Sequence, residues 1–443
     1  MFGKLLLSAK ISYFNIHIKN MKDNIINNEL YSALPYYHSV GKKRTNVVKY
    51  IIRFHEEVDG DALRKAVDTA IQRYPYFRVK IVENAWKTYL VPNDAPMVIS
   101  HSMEPVHLGS EASNHHLMAF GYWDNNLFIY NFHGLMDGRG RGPFQKTLLY
   151  YYCMFRYNEQ VEMDNVNLAD SPVDPEEYLD PFNNDIPQNR KIKLLIPKSF
   201  GMRLIKMGKV TPGDTRIRLI KLPEKETIDW CKQHDATPNT AVSALMCRAI
   251  HQVHPESKKN IIAGVCCDLR SALNVKKPYA SLVYFLHLAF DRKMMKQDLD
   301  TQLTEFRGQL ILQSDPDILR RLLGVLKYIF ALINAVPSRA LKRLVSRQIM
   351  SSIYKQTTFG VSYTGKVSYG SCDKHIKGLY SEPNTPDAGI FIEITAGDGN
   401  LMLTFAQEWE SDIYFDAFCQ QLEENGLKYK TVYKEIASMP EMS

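Results

Sequence analysis

At 443 residues, with 45% hydrophobic and 23% charged residues, the chain is long enough for two domains around a sizeable core, and its composition excludes a fibrous or disordered protein. A net charge of +7 suits an anionic small ligand or an acidic carrier protein. No basic run is interleaved with aromatics and no nucleic-acid motif is present, so nucleic acid is excluded as a partner. Seven cysteines, an odd number with no C-x-x-C pair, give no metal-ligand spacing and point to reduced thiols in a cytoplasmic protein.

Residues 1–29 read as an N-terminal extension. Met1 to Ala9 is too short an apolar run for a signal peptide, and Met21 offers a second start. No stretch reaches the roughly 18 apolar residues of a membrane span. Residues 30–190 are expected to form one half and 191–443 the other. Val47 to His55 is rich in β-branched residues and reads as a strand. Asp59-Gly60-Asp61 is a turn that caps a helix with Leu63, Ala66, Val67, Ala70 and Ile71 on one face. Tyr74-Pro75 ends that helix, and strands are expected over 77–82, 86–91 and 98–100. His115 and His116 precede the next strand as surface or packing residues, since nothing nearby completes a metal set.

Asn126 to Phe144 reads as a buried strand, a glycine-broken loop and the start of a helix. Leu127, Ile129 and Asn131 share a parity with His133, and Phe128, Tyr130 and Phe132 take the other face. Gly134 and Gly138 are expected to supply backbone freedom for a sharp turn. Gly140 and Gly142 keep the loop open, and Pro143 starts a helix over 144–157. A histidine at a strand end is held rigidly, and its ordinary pKa near 6.5 suits proton abstraction. Asp137 could orient the ring, or turn away and anchor the loop.

Val161 to Thr215 is proline-rich and poorly periodic, as a long crossover between halves would be. Strand 216–222, helix 224–234 and a helix starting at Thr237-Pro238 follow. Ile261 to Leu269 is an apolar strand ending in Cys267-Asp268-Leu269-Arg270. Between Asp315 and Met350 an apolar helix face (Leu319, Leu323, Leu326, Phe330) has basic flanks. It reads as a core helix with solvated charges, with peripheral membrane contact left open. Phe359 to Tyr369 is a polar-alternating strand, Gly397-Asp398-Gly399 joins a hairpin, and Ser411 to Gly426 is a closing amphipathic helix.

His133-Gly134-Leu135-Met136-Asp137-Gly138 resembles the H-x-x-x-D-G motif of the CoA-dependent acyltransferase superfamily. That superfamily includes chloramphenicol acetyltransferases, plant BAHD acyltransferases, alcohol acetyltransferases and peptide-synthetase condensation domains. Three further segments match in order. Residues 73–78 resemble the R-H-P-x-L-R junction, with Tyr74 for histidine and Phe77 for leucine. Asp268-Leu269-Arg270 resembles the D-x-R landmark. Ser362-Tyr363-Thr364-Gly365 resembles S-N-x-G or T-N-x-G, with Tyr363 for asparagine. The BAHD D-F-G-W-G motif is absent.

The resemblance implies an α/β fold of two similar chloramphenicol-acetyltransferase-like halves with an active-site tunnel between them. It makes His133 the general base. Ser362 and Thr364 are candidates to stabilise the oxyanion, strand parity deciding which faces the tunnel. It pairs Asp137 with Arg270 as a brace and makes Gly138 part of that support. No metal or organic cofactor is implied; an acyl thioester, preferably acyl-CoA, is the co-substrate and an alcohol or amine the acceptor. Phe132 stands where condensation domains usually carry a first histidine, which favours acyl-CoA over a carrier-protein thioester. A carrier-dependent enzyme and a non-catalytic binding protein are the alternatives.

Overall fold

The computed structural model describes residues 33–442 apart from 42–43, 85–86, 181, 183–185, 196–199, 209, 212–213 and 384–388. The expectations for residues 1–29 and for the strand start at Trp86 fall outside the described residues.

Helix α1 (Leu34–Ser39) leads into β1 (Val47–Phe54), which carries the β-branched run. In α2 (Gly60–Ala70), Asp59 is the N-cap and accepts from the Ala62 amide at 2.9 Å. Leu63, Ala66, Val67 and Ala70 are buried, as their spacing predicts. After the Tyr74-Pro75 stop, β2 (Val79–Glu83) and β3 (Thr88–Pro92) pair only with each other. Strands β4 (Ile99–His101), β5 (Met118–Trp123) and β6 (Asn126–Phe132) follow. His115 and His116 lie in a turn before β5, where Asn114 and His115 both have positive φ. The His116 ring meets the Ala95 carbonyl at 2.9 Å, a packing role.

Helix α3 (Gly138–Tyr157) starts at Gly138 rather than Phe144, with Pro143 inside it. The physical reason is Asp137, which caps the helix by accepting from the Gly140 amide at 2.7 Å. None of Gly134, Gly138, Gly140 and Gly142 has a positive φ, so backbone freedom is not what the motif glycines provide. Gly140 provides room instead: a Cβ there would lie 1.9 Å from the Tyr279 carbonyl oxygen.

The second half contains β7 (Asp214–Pro223), α4 (Glu224–Gln233), α5 (Pro238–Val253), β8 (Ile261–Asp268), α6 (Arg270–Leu273) and β9 (Val283–Phe290). Thr237 and Thr240 form a reciprocal capping box at the start of α5. The apolar stretch from Asp315 divides into α8 (Pro316–Asn334) and α9 (Arg339–Tyr354), preceded by α7 (Leu299–Gln313). Leu319, Leu323, Leu326 and Ile333 of α8 are buried, which makes it a core helix on that face. Then come β10 (Phe359–Lys366), β11 (Ile376–Glu382), β12 (Ile390–Gly397), β13 (Asn400–Gln407), α10 (Ile413–Glu424) and β14 (Lys430–Ser438). The β12–β13 turn has Asp398 and Gly399 at positive φ, the pairing a tight hairpin demands.

Among the described residues, two large sheets organise the chain. One has the order β11-β1-β6-β5-β4 and the other β14-β7-β13-β12-β10-β8-β9. Each carries its own apolar cluster, around Phe120, Phe132 and Phe144 in the first and Phe405, Trp409 and Phe418 in the second. The first sheet crosses the boundary expected near residue 190, whereas the second lies wholly beyond it. Strand β11, from the second half, completes the first sheet by pairing antiparallel with β1. Among the described residues no helix is long and apolar enough to cross a membrane.

Candidate active site

Strand β6 lies inside its sheet, with every residue after Asn126 buried. It delivers His133 to the seam between the sheets. The His133 amide donates to the Asn46 carbonyl at 2.7 Å, which fixes the backbone there. The ring stacks on Tyr36 with centroids 5.3 Å apart and planes at 28°. Its Nδ1 faces Ser281 Oγ at 3.3 Å. Burial pushes the imidazole below its ordinary pKa of 6.5, outweighing the carbonyls of His133 and Met136 and the Asp137 charge, which favour protonation. A proton on Nδ1 serves those acceptors. Nε2 has no hydrogen-bond partner among the described residues, and the ring lines the central cavity.

Asp137 turns away from the imidazole. Its carboxylate forms a bidentate pair with Arg270, Nη1 to Oδ2 at 2.9 Å and Nη2 to Oδ1 at 3.0 Å. It also accepts from the amides of Gly140 at 2.7 Å and Leu282 at 3.0 Å. Arg270 in turn donates to Asp268 Oδ1 at 2.8 Å and to the carbonyls of Pro278 and Ala280. Both partners are almost fully buried, and the geometry is the planar fork that favours arginine over lysine. The pair therefore clamps the first turn of α3 to the 278–282 loop. That loop carries Ser281, so the clamp also sets the partner of His133 Nδ1. Gly138 is held against Thr364, whose Cγ2 would be 3.0 Å from a Cβ added there.

The cavity holds about 730 Å³ and is lined from both sheets and by α8 and α9. Its origin is visible in the register. Strands β8 and β10 pair in parallel only as far as Val265 and Val361, then separate. Ser362 and Thr364 lie just beyond that point. Two residues apart, they share a parity, so strand parity does not choose between them, and both line the cavity. Ser362 Oγ donates to Glu393 Oε1 of β12 at 3.2 Å, a cross-strand neighbour in register. Thr364 is exposed, and its hydroxyl has no partner among the described residues. Burial raises the Glu393 carboxyl to about 7, against smaller opposing effects of Ser362 and Arg141. Among the described residues no cluster of three His, Cys, Asp or Glu side chains could hold a metal ion.

No protein-family model matches the chain, and no curated protein matches its sequence. Solved structures do match. Polyketide synthase associated protein 5 from Mycobacterium tuberculosis superimposes with a TM-score of 0.60 at 12% identity, covering 88% of this chain and 95% of that one. F. graminearum TRI101, complexed with coenzyme A and deoxynivalenol, gives 0.57 at 11%, covering 89% and 98%. The first condensation domain of the calcium-dependent antibiotic synthetase gives 0.59 at 10%, covering 92% and 98%. The fold is the two-lobed, chloramphenicol-acetyltransferase-like one.

In this acyltransferase-like fold, His133, Asp137, Gly138, Ser362 and Thr364 all line one cavity, together with Arg270. Sequence reasoning missed Tyr36, Ser281, Arg141 and Glu393. Arg141 stands three residues beyond the motif, and the two charges, Arg139 and Arg141, set between glycines were a usable signal. Ser281 and Glu393 carried none, because only strand pairing and the Arg270 clamp bring them to the site.

Proposed function

We propose that the protein is an acyltransferase that moves an acyl group from a thioester, acyl-CoA, to a hydroxyl or amine acceptor. His133 Nε2, unprotonated at neutral pH, takes the proton of the acceptor. The acceptor oxygen or nitrogen then attacks the thioester carbonyl, and the carbonyl π electrons move to oxygen. As the tetrahedral adduct collapses, the C–S bond breaks and the thiolate leaves with the proton that His133 returns. The observation that carries this reading is a neutral imidazole on the cavity wall with Nε2 free and Nδ1 held by Ser281.

The oxyanion needs a donor, a contribution of about 3 kcal/mol in comparable sites. Thr364 has the uncommitted hydroxyl; the Ser362 proton is engaged by Glu393. The reaction consumes the thioester as co-substrate and uses no further cofactor. The seven free cysteines, five of them buried, fit a cytoplasmic setting. The likeness to a protein solved with coenzyme A supports a CoA donor. The likeness to a condensation domain favours, as a second reading, a carrier-protein thioester.

Incubation with an acyl-CoA panel and mixed alcohols and amines, followed by mass spectrometry, tests both. Product should form without any carrier protein. In His133→Ala it should fall by at least about 100-fold with an unchanged melting point. Full activity in that variant refutes the base assignment, and turnover only with an added carrier favours the second reading.

A further inference from the structure

Arg141 is the anomalous charge in the cavity. It sits in the first turns of α3 and is 4% exposed. Its Nε donates to Gln145 Oε1 at 3.3 Å and its Nη1 to Asn131 Oδ1 at 3.2 Å. The guanidinium lies 3.8 Å from the centroid of the Tyr50 ring. Every one of these partners is neutral. Among the described residues no carboxylate comes within 4.0 Å of it; Glu393, on which its charge acts across the same cavity, lies beyond that distance and is pushed up to about 7 by burial, so it is at most a partial counterion. Equally buried Arg73, Arg218 and Arg270 each hold a carboxylate, from Glu177, Asp412 and Asp137 respectively. A buried cation without a counterion is costly, and proteins rarely keep one that does nothing.

The surroundings point the same way. Gln145 spends its oxygen on Arg141, and its Nε2 is buried with no hydrogen-bond partner. Arg141 Nη2 lies 3.9 Å from where a Cβ on Gly138 would be, beside the motif loop. Arg141, Gln145 and Tyr50 all line the cavity that contains His133. The wall thus offers a permanent cation and an unsatisfied amide donor together. A neutral carbonyl would satisfy the amide; only an anion balances the guanidinium. Arg141 is tied to Asn131, two residues before His133, and its charge acts on the imidazole, so it stands near the histidine on the cavity wall. It would meet a reacting part of a substrate.

We propose that Arg141, with Gln145, binds a carboxylate carried by one of the two substrates, so that the enzyme selects an acidic acyl group or an acidic acceptor. This rests on the acyltransferase reading, and its test separates the two. The donor arm compares succinyl-CoA with acetyl-CoA. The acceptor arm compares 3-hydroxybutyrate and 4-aminobutyrate with their methyl esters.

In one arm the wild type should favour the acid by roughly 10- to 100-fold in kcat/KM, the span of a charged hydrogen bond. Arg141→Gln should erase that preference by raising KM for the acid, with turnover of the neutral counterpart within about twofold. Arg141→Lys should restore part of it. Binding is read independently of turnover by thermal shift: the acid should raise the wild-type melting point more than its neutral counterpart, and should not do so in Arg141→Gln. Absence of all turnover with that shift intact removes the acyltransferase reading and leaves the carboxylate site standing. Equal responses to acids and neutral counterparts in the wild type overturn the proposal. An equal kcat loss in Arg141→Gln for acids and esters also overturns it, since Arg141 would then serve the oxyanion.

Discussion

Replacing Asp137 with alanine removes more than a motif residue. The carboxylate accepts four hydrogen bonds, two from Arg270 and one each from the amides of Gly140 and Leu282. Arg270 would keep its charge at 4% exposure, with Asp268 as its remaining carboxylate partner. Breaking a buried pair from one side costs about 3–5 kcal/mol, and losing the helix cap adds about 1 kcal/mol. The total is a large share of the 5–15 kcal/mol that typically holds a domain together. Urea denaturation followed by tryptophan fluorescence should therefore shift to markedly lower denaturant in Asp137→Ala, with a smaller shift in Asp137→Asn. The double variant Asp137→Ala/Arg270→Met removes both charges and should lose less than the sum of the singles, by about 2 kcal/mol or more. A melting curve for Asp137→Ala that overlays the wild type, or strict additivity in the double variant, would refute the brace.

Three further outcomes follow from the same geometry. Gly140→Ala should destabilise by about 1–3 kcal/mol in the same denaturation assay, because its Cβ would meet the Tyr279 carbonyl backbone rather than a movable side chain. Glu393 has a pKa raised from 4.5 to about 7 by burial. Its folded state holds a proton that the unfolded chain has released, so its contribution is complete below pH 4.5 and is lost as pH rises through 7. Glu393→Gln should therefore gain on the wild type by about 3 kcal/mol between pH 4.5 and 8, and a constant difference across that range would count against the buried acid. The imidazole of His133 is pushed below 6.5, so the acid limb of kcat/KM should have its midpoint below 6.5; a midpoint above it would contradict the desolvated base.

The fold was legible where local rules and tertiary packing agree. The cap at Asp59, the stripe of α2 and the hairpin at Asp398-Gly399 needed only side-chain periodicity and turn chemistry. The motif helix was misread because four glycines and a proline in a short run suggest a loop. The absent side chain of Gly140 instead lets α3 pass against the backbone of Tyr279, which is a fact about a distant segment. The Arg270 role was legible only through the family likeness, since a lone arginine after a strand says nothing of a partner 133 residues away. Ser281 and Glu393 were out of reach for the same reason. One depends on a long-range clamp and the other on a parallel strand neighbour.

Strand β11 has a mechanical meaning. A ribbon from the late part of the chain is hydrogen-bonded into the sheet built by the early part, from Lys49 opposite Glu382 to Phe54 opposite Ile376, and Lys49 and Glu382 also form a buried ion pair. Two lobes stitched in this way cannot swing apart like a clamshell without unzipping a ladder. Reactants must thread into the centre from its openings, and an N-terminal fragment cut at the proline-rich crossover would lack the edge strand of its own sheet.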